Sequence, residues 1–279
     1  MMIAESYIKT EHYDLFALTS IQGRDTLLIF LHGCGDSHLN YADFIHSTQL
    51  KSYDIFIPDL IGHGKSSGLS TETFSFELGT QGLIKHIQSL HHSYKRIFII
   101  AHSQGGIYAN HLATSDIAQL IKGIYAIETP VTQHGIFISN EVVKCIHQGK
   151  NINTWYMDFC HKIYQIGHNE QAMRHYFCGL QFADLSCFIK QCQLTQTLAH
   201  AIENQTFTSQ IGEDFSKLTI PKLYCLAENG KKQVNLPFLE QHNIPTFIIK
   251  NADSHFCAQQ QPDIFLAHLN QWLESLLNH

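Results

Sequence analysis

The strongest structural signal in this chain is residues 97–106, Ile-Phe-Ile-Ile-Ala-His-Ser-Gln-Gly-Gly. Its first four residues are β-branched or aromatic, which predicts a buried strand. The strand ends at a variant of the G-x-S-x-G motif that carries Ala101 in place of the first glycine. A helical pattern of apolar residues follows from Ile107. Since a strand, a tight turn of small residues and a helix form the setting of a nucleophile elbow, Ser103 is the predicted nucleophile.

Strand-like and helix-like segments alternate along the rest of the chain. The sequence predicts strands at 6–18, 26–32, 52–57, 123–127, 223–226 and 246–250, and helices at 75–92 and 262–277. Strands that alternate with helices build a mostly parallel sheet covered on both faces. The predicted fold class is therefore α/β.

Residues 131–215 break this alternation, because they contain no strand-like run and their aromatic residues recur at helical spacing. At about 85 residues the segment is too long for a simple connection between two elements. We expect an α/β core made of residues 1–130 and 216–279, with a helical cap inserted at 131–215.

Composition narrows the class of protein. The chain has 279 residues, of which 44% are hydrophobic, so it can bury one large core. The formal net charge is −6 and the 18 Lys and Arg residues are scattered, which argues against nucleic-acid binding. The first residues lack the pattern of a signal peptide, and no apolar run approaches the about 20 residues of a membrane span. We therefore expect a cytoplasmic protein with no integral membrane segment.

Cysteine and histidine residues invite a redox or metal interpretation that their spacing does not support. None of the eight cysteines forms C-x-x-C, and the pattern favours buried, reduced thiols. The 20 histidines are spread along the chain without the spacing of a zinc site. We predict no metal and no other cofactor.

Three further motifs surround the elbow. Residues 31–35 read Leu-His-Gly-Cys-Gly, residues 58–66 read Pro-Asp-Leu-Ile-Gly-His-Gly-Lys-Ser, and residues 251–256 read Asn-Ala-Asp-Ser-His-Phe. Each follows a predicted strand. Together with the elbow they resemble the α/β-hydrolase family, whose motifs cover nearly the whole chain outside the cap. The resemblance implies an α/β-hydrolase fold with a serine nucleophile.

The resemblance also implies roles for individual residues. His255 corresponds to the family's catalytic histidine, which takes the proton of Ser103 and returns it to the leaving group. The oxyanion hole would consist of two main-chain N–H groups, from Gln104 after the nucleophile and from Cys34 in the loop after the predicted strand at 26–32. The motif residue Asp59 and its glycine neighbours are expected to be structural.

The acid of the triad departs from the common family pattern, which has Asp after the strand that corresponds here to 223–226. Gly230 stands at that position, and Glu228 lies two residues before it. Glu128, at the end of the predicted strand at 123–127, resembles the arrangement of certain lipases and haloalkane dehalogenases. A carboxylate leaving a hydrophobic strand is costly to bury without a partner. We therefore expect Glu128 to serve, with Glu228 as the alternative.

Serine at the elbow favours acyl transfer, because family members that open epoxides or remove halides carry Asp there. The predicted activity is hydrolysis of a carboxylic ester or thioester through an acyl-enzyme. Similar relatives include monoacylglycerol lipases, lysophospholipases and acyl-carrier-protein methyl ester esterases. A carbon–carbon bond hydrolase and a non-catalytic binding protein of the same fold remain open alternatives.

The predicted partner is a small-molecule or carrier-bound acyl ester. Basic residues occur along the predicted cap and would suit an acidic acyl carrier protein: Lys144, Lys150, Lys162, Arg174 and Lys190.

Overall fold

The computed structural model describes residues 3–69, 72–90, 93–200, 209–230 and 232–278, with the main chain alone at 232 and 233. Within these ranges the strands are β1 (Ala4–Lys9), β2 (Asp14–Ser20), β3 (Thr26–Leu31), β4 (Asp54–Pro58), β5 (Arg96–His102), β6 (Ile121–Ile127), β7 (Lys222–Ala227) and β8 (Thr246–Ile249). The α-helices are α1 (Phe76–Leu90), α2 (Gly105–Ala113), α3 (Phe137–His147), α4 (Ile152–Gly167), α5 (Gln171–Phe182), α6 (Leu185–Ala199), α7 (Gln210–Lys217), α8 (Lys232–Gln241), α9 (Cys257–Gln260) and α10 (Pro262–Leu277).

The described strands form one sheet, in the order β1-β2-β4-β3-β5-β6-β7-β8. Strand β2 pairs antiparallel with β1 and β4, and the remaining neighbours are parallel. A parallel strand is covered on both faces, so its sequence is apolar throughout rather than alternating. All six residues of β3 and six of the seven residues of β5 are buried accordingly. The predicted α/β class and mostly parallel sheet are confirmed.

The prediction of one strand over residues 6–18 is wrong, because the chain reverses between β1 and β2. Thr10 closes the turn: its hydroxyl accepts from the N–H of Tyr13 at 3.1 Å, and its own N–H donates to the Tyr13 carbonyl at 3.2 Å. The two strands then pair antiparallel at the edge of the sheet. The predicted helix at 75–92 is α1, and residues 91 and 92 lie outside the described residues.

Side chains of each central strand alternate between two apolar clusters, one on each face of the sheet. In β3, Leu27 and Ile29 enter the first cluster, while Leu28 and Phe30 enter the second. Helices α1 and α2 pack on the first face, and α10 packs on the second. The sheet is thereby held rigidly, and the loops at the carboxyl ends of its parallel strands meet at one edge, where α/β folds bind ligands.

Helices α3 to α6 lie between β6 and β7 in sequence and contribute most of a third apolar cluster, which also takes in Phe256 from the loop after β8. Helix α7 differs, because its Ile211 and Phe215 pack in the first cluster with the sheet. The division into a core and a cap at 131–215 stays a prediction, and its residues 201–208 fall outside the described ranges. None of the helices in the described part of the chain combines the length and apolar character needed to cross a membrane.

Candidate active site

Ser103 sits at the sharp turn between β5 and α2 with a φ of 51°, in the left-handed region that non-glycine residues rarely adopt. Its N–H donates to the carbonyl of Ile127 at 2.8 Å, which ties the turn to the neighbouring strand. A Cβ at Gly105 would lie 2.6 Å from the carbonyl oxygen of Leu31, so only glycine fits there. The elbow predicted from the motif is therefore built by the close approach of β3, β5 and β6.

Glu128 begins the loop after β6 and also has a positive φ, of 47°. Its side chain is 1% exposed, and Oε1 accepts from the N–H of Ala227 at 2.8 Å. The carboxylate therefore reaches from the end of β6 to the end of β7. A Cβ at Gly230 would stand 3.5 Å from Oε1 of Glu128. Glu128 thus fills the space beside the position where the common family pattern has its acid.

Glu228 occupies a different environment: it is half-buried and bonds the loop that follows β8. Its Oε2 accepts from the N–H of Asn251 at 3.0 Å, and its own N–H donates to the carbonyl of Ile249 at 3.1 Å. Both bonds hold the turn that follows β8. These contacts give Glu228 a role in the loop that carries His255, while the assignment of the triad acid stays a prediction.

His255 lies in the loop between β8 and α9 and lines the same cavity as Ser103. Its carbonyl accepts from Nε2–H of His102 at 2.9 Å, and the two imidazole rings are 4.6 Å apart. Phe256 packs on His102 from the same loop, at 5.0 Å between centroids. His102, which the sequence did not single out, therefore connects the elbow to the histidine loop.

The loop after β3 lies directly against the serine. A Cβ at Gly33 would be 3.0 Å from Cβ and 3.5 Å from Oγ of Ser103. The carbonyl of Cys34 accepts from the Tyr176 hydroxyl at 3.1 Å, so helix α5 fixes this peptide from above. Next to the serine, the Gln104 side chain donates to Oγ1 of Thr195 on α6 at 2.7 Å. The two predicted oxyanion-hole residues thus lie beside Ser103, one directly after it in the chain and one in the loop after β3, and their role stays a prediction.

Hydrogen bonds from buried polar side chains hold the loop that contains Cys34. Nε2 of His63 accepts from the N–H of Gly35 at 2.9 Å, while its Nδ1–H donates to the carbonyl of Ile61 at 3.0 Å. Burial lowers the pKa of His63, which keeps it in the neutral form that can accept this bond. Asp59 accepts from the N–H and the ring of His38. Burial alone would raise the pKa of Asp59, but the hydrogen bond and charge of His38 hold it below its ordinary value.

A cavity of about 300 Å³ extends from Ser103 under the helices between β6 and β7. Most of its wall is apolar and comes from α3, α4 and α5 and the segment before α3: Ile136, Phe137, Ile138, Phe159, Ile163 and Met173. Asp36 supplies the one Asp, Glu, Lys or Arg side chain among the described residues that line it. Within the described part of the chain, no three His, Cys, Asp or Glu residues cluster closely enough to hold a metal ion.

Comparison with known proteins gives matches in sequence and in structure. Residues 22–150 match a family model described as serine aminopeptidase, S33. Protein phosphatase methylesterase 1 of Candida albicans is 24% identical over 262 residues, 89% of this chain and 68% of that protein. Monoglyceride lipase of mouse (Mus musculus) is 32% identical over 89 residues, 30% of this chain and 29% of the lipase.

A carboxylesterase structure from the thaumarchaeon Nitrososphaera gargenis superposes with a TM-score of 0.71 and 14% identity, over 98% of this chain and 99% of that one. At this identity the likeness establishes the fold. The chain has the α/β-hydrolase fold. Ser103 occupies the turn between a strand and a helix at which this fold exposes the nucleophile of its catalytic members.

Proposed function

We propose that this α/β-hydrolase cleaves carboxylic esters or thioesters through an acyl-enzyme on Ser103, with His255 as general base and Glu128 as the acid. One observation carries the proposal: Ser103 and His255 line one cavity, and the Glu128 carboxylate is held at the neighbouring end of β7. The relatives named as a methylesterase and as monoglyceride lipases support an ester as the substrate.

In the first half of the reaction, Oγ of Ser103 attacks the ester carbonyl carbon while His255 takes the hydroxyl proton. The negative charge that develops on the carbonyl oxygen is stabilised by the main-chain N–H groups of Cys34 and Gln104. His255 then gives its proton to the departing alcohol or thiol. In the second half, water attacks the acyl-enzyme by the same steps and releases the acid.

Glu128 would hold His255 in the tautomer that accepts the serine proton and would stabilise the imidazolium that forms. Its own position does not depend on His255, because the N–H of Ala227 anchors Oε1. The nearby thiol of Cys34 is a poor competitor for Ser103. A hydrogen bond with Cys192 and burial raise its pKa well above the ordinary value, so it stays protonated.

The apolar wall of the cavity suits the acyl chain of the substrate. Phe159, Ile163 and Met173 face it from α4 and α5, and each contact with a chain methylene would contribute through the hydrophobic effect. The finer alternatives stay predictions: lysophospholipase or monoacylglycerol lipase, carrier-protein methyl ester esterase, carbon–carbon bond hydrolase, or binding protein. An acyl carrier protein as partner also stays a prediction.

The test is hydrolysis of p-nitrophenyl esters of increasing acyl length by the wild type and by Ser103→Ala. We expect activity with an optimum in chain length, lost in Ser103→Ala. Ser186→Ala is the matched control, because that hydroxyl lies on the exposed face of α6 and donates to Asp184. A fluorophosphonate should label the wild type and the control but not Ser103→Ala.

Three results would contradict the proposal. Ester hydrolysis that survives in Ser103→Ala would place the chemistry elsewhere. Absence of both ester hydrolysis and fluorophosphonate labelling in the wild type would favour the binding protein. Cleavage of a vinylogous diketone without cleavage of any ester would favour the carbon–carbon bond hydrolase.

A further inference from the structure

Tyr176 on helix α5 donates its hydroxyl to the main-chain carbonyl of Cys34 at 3.1 Å. The tyrosine is 3% exposed and lines the same cavity as Ser103. Helix α5 lies between β6 and β7 in the chain, whereas the Cys34 loop follows β3. The hydrogen bond therefore joins the helices between β6 and β7 to the loop that the proposed reaction needs. The catalytic steps proposed for Ser103 give Tyr176 no role.

The carbonyl that Tyr176 holds belongs to the peptide between Cys34 and Gly35. The N–H of this same peptide donates to Nε2 of His63 at 2.9 Å. A peptide group is planar, so hydrogen bonds to its carbonyl and to its N–H together fix the orientation of the whole unit. Tyr176 and His63 thus hold one peptide from its two ends.

The Cys34 N–H, which is the predicted oxyanion donor, belongs to the preceding peptide. The carbonyl of that peptide, from Gly33, accepts from Nδ1–H of His32 at 2.8 Å. The Cys34 Cα connects the two peptides, so the direction of the N–H depends on the orientation of both. His32 and His63 come from loops that follow strands, whereas Tyr176 comes from α5. The helix thus contributes to the geometry of the predicted oxyanion hole.

Helix α5 approaches the loop so closely that a glycine stands on each side of the contact. Gly35 has a φ of 74°, and a Cβ there would lie 2.7 Å from Cδ2 of Leu180. A Cβ at Gly179 would lie 3.0 Å from the carbonyl oxygen of Gly35. The Tyr176 ring packs on Phe256 in the loop of the histidine, at 5.2 Å between centroids. Close packing on both sides therefore presents the hydroxyl to the loop.

We infer that Tyr176 is a positioning residue whose hydroxyl holds the Cys34–Gly35 peptide and thereby aims the Cys34 N–H at the oxygen that becomes negative. Helix α5 then influences the rate of the reaction as well as the shape of the cavity. This inference rests on the proposed function, because an oxyanion forms only if Ser103 attacks a carbonyl carbon there. Burial raises the pKa of Tyr176 well above its ordinary value, so the hydroxyl keeps the proton that it donates.

The experiment compares Tyr176→Phe with the wild type in the hydrolysis of p-nitrophenyl octanoate. The variant keeps the ring that packs on Phe256 and removes only the hydroxyl. Both halves of the reaction pass through an oxyanion, so kcat should fall whichever half limits the rate. Loss of an oxyanion-hole donor costs about a hundredfold or more, and loss of a group that only aims a donor should cost less. We expect kcat to fall by about tenfold while KM changes by less than about twofold.

Tyr156→Phe is the matched control. The Tyr156 hydroxyl, on α4, also donates to a main-chain carbonyl, that of Leu180 on α5, at 2.7 Å. Leu180 lies outside the oxyanion loop, so this variant loses a similar hydrogen bond without releasing the Cys34–Gly35 peptide. The unfolding transitions of both variants in urea should shift in the same direction, whereas kcat should fall only in Tyr176→Phe.

A trifluoromethyl ketone with a heptyl chain separates an effect on the oxyanion from a general disturbance of the site. Oγ of Ser103 forms a bond to the ketone carbon, the carbonyl π electrons move to the oxygen, and the serine proton passes to His255. The resulting hemiketal carries its negative charge where the oxyanion of the reaction would lie. In Tyr176→Phe we expect its dissociation constant, measured by calorimetry, to rise about tenfold, by the same factor as kcat/KM falls. In Tyr156→Phe it should equal that of the wild type.

A Tyr176→Phe enzyme whose kcat lies within about twofold of the wild type would overturn the inference. A rise in KM at unchanged kcat would do so too, because it would place the hydroxyl in substrate binding. An equal loss of kcat in Tyr156→Phe would have the same consequence. Failure of the proposed function looks different: the wild type itself would cleave no ester. The ketone still decides in that case, because equal calorimetric results for the wild type and Tyr176→Phe would overturn the role of Tyr176.

Discussion

Replacing Glu128 by Gln removes one negative charge and nearly preserves the shape of the side chain. Oε1 of Glu128 accepts from the N–H of Ala227 at 2.8 Å, and an amide oxygen can accept the same bond. The variant should therefore fold and bind substrate as the wild type does. In the mechanism proposed for Ser103, the variant loses the negative charge opposite the imidazolium that His255 would become.

The size of the effect follows from the burial of Glu128, which is 1% exposed. A carboxylate about 4 Å from a cation, at the effective dielectric constant of about 20 that suits protein sites, contributes about 4 kcal/mol. This corresponds to about a thousandfold in kcat. Glu228→Gln is the matched control: that carboxylate is half-buried, bonds the Asn251 N–H and lies outside the cavity wall, so its kcat should change by about twofold at most.

The assay is steady-state hydrolysis of the p-nitrophenyl ester that the wild type prefers, with KM followed beside kcat. We expect kcat to fall in Glu128→Gln with little change in KM, because the lost interaction exists mainly in the transition state. A second test moves the acid. Since a Cβ at Gly230 would lie 3.5 Å from Oε1 of Glu128, Gly230→Asp in a Glu128→Ala background should recover about tenfold or more of the lost kcat.

Two outcomes would refute the assignment. The first is a Glu128→Gln enzyme whose kcat lies within threefold of the wild type while its unfolding transition is unchanged. The second is a loss that is larger in Glu228→Gln than in Glu128→Gln, which would make Glu228 the acid. Recovery of kcat by Gly230→Asp would support the assignment, because it requires that a carboxylate at the end of β7 can act on His255.

Three other perturbations test the surroundings of the site. Gly64→Ala should lower the free energy of unfolding by about 3 kcal/mol in urea titrations, because φ is 52° and the new Cβ would overlap the buried Asp59 carboxylate. Gly149→Ala is the control: φ is 64° but the space around it is open, so it should lower the free energy of unfolding by only about 1 kcal/mol. His63→Phe should lower kcat about tenfold with little change in KM, because the Gly35 N–H in the proposed oxyanion loop loses the Nε2 acceptor that holds it. His63→Gln, which keeps an acceptor, should recover part of the lost kcat. Folded Asp36 keeps its proton up to about pH 7, whereas the unfolded chain releases it near 3.8. Its contribution to stability is therefore complete below pH 4 and is lost as pH rises to 7, so the unfolding free energy of the wild type relative to Asp36→Asn should fall by up to roughly 4 kcal/mol across that window.

The parallel strands were predictable because each is marked by a short local run of residues. Residues such as Ile97 to Ile100 are apolar without alternation, and small residues bound the turn that follows. The antiparallel edge formed by β1 and β2 was not predictable. A polar turn at Thr10 separates the two strands, but the residues before and after this turn look equally strand-like in the sequence. Edge strands carry a weaker pattern, since β1 has no fully buried residue.

The residues of the candidate site divide in the same way, into those that local sequence predicts and those that depend on tertiary packing. Ser103 and His255 follow strands, so their order in the chain places them at one edge of the sheet. The choice between Glu128 and Glu228 depends on where a side chain crosses from β6 to β7, and neither spacing nor composition describes that crossing. The burial of Asp36 also depends on tertiary packing, because helix α5 covers the loop after β3.

Backbone strain gives a reason to connect Ser103 with Glu128 that does not depend on their chemistry. Among the described residues, four non-glycine residues have a positive φ, and the other two are Asn243 and Asn251. Asparagine tolerates this conformation, whereas serine and glutamate seldom adopt it. The two strained residues end neighbouring parallel strands, β5 and β6. Such conformations persist where the surrounding structure enforces them, typically at functional sites. The strain thus supports Glu128 over Glu228 as the proposed acid beside Ser103 and His255.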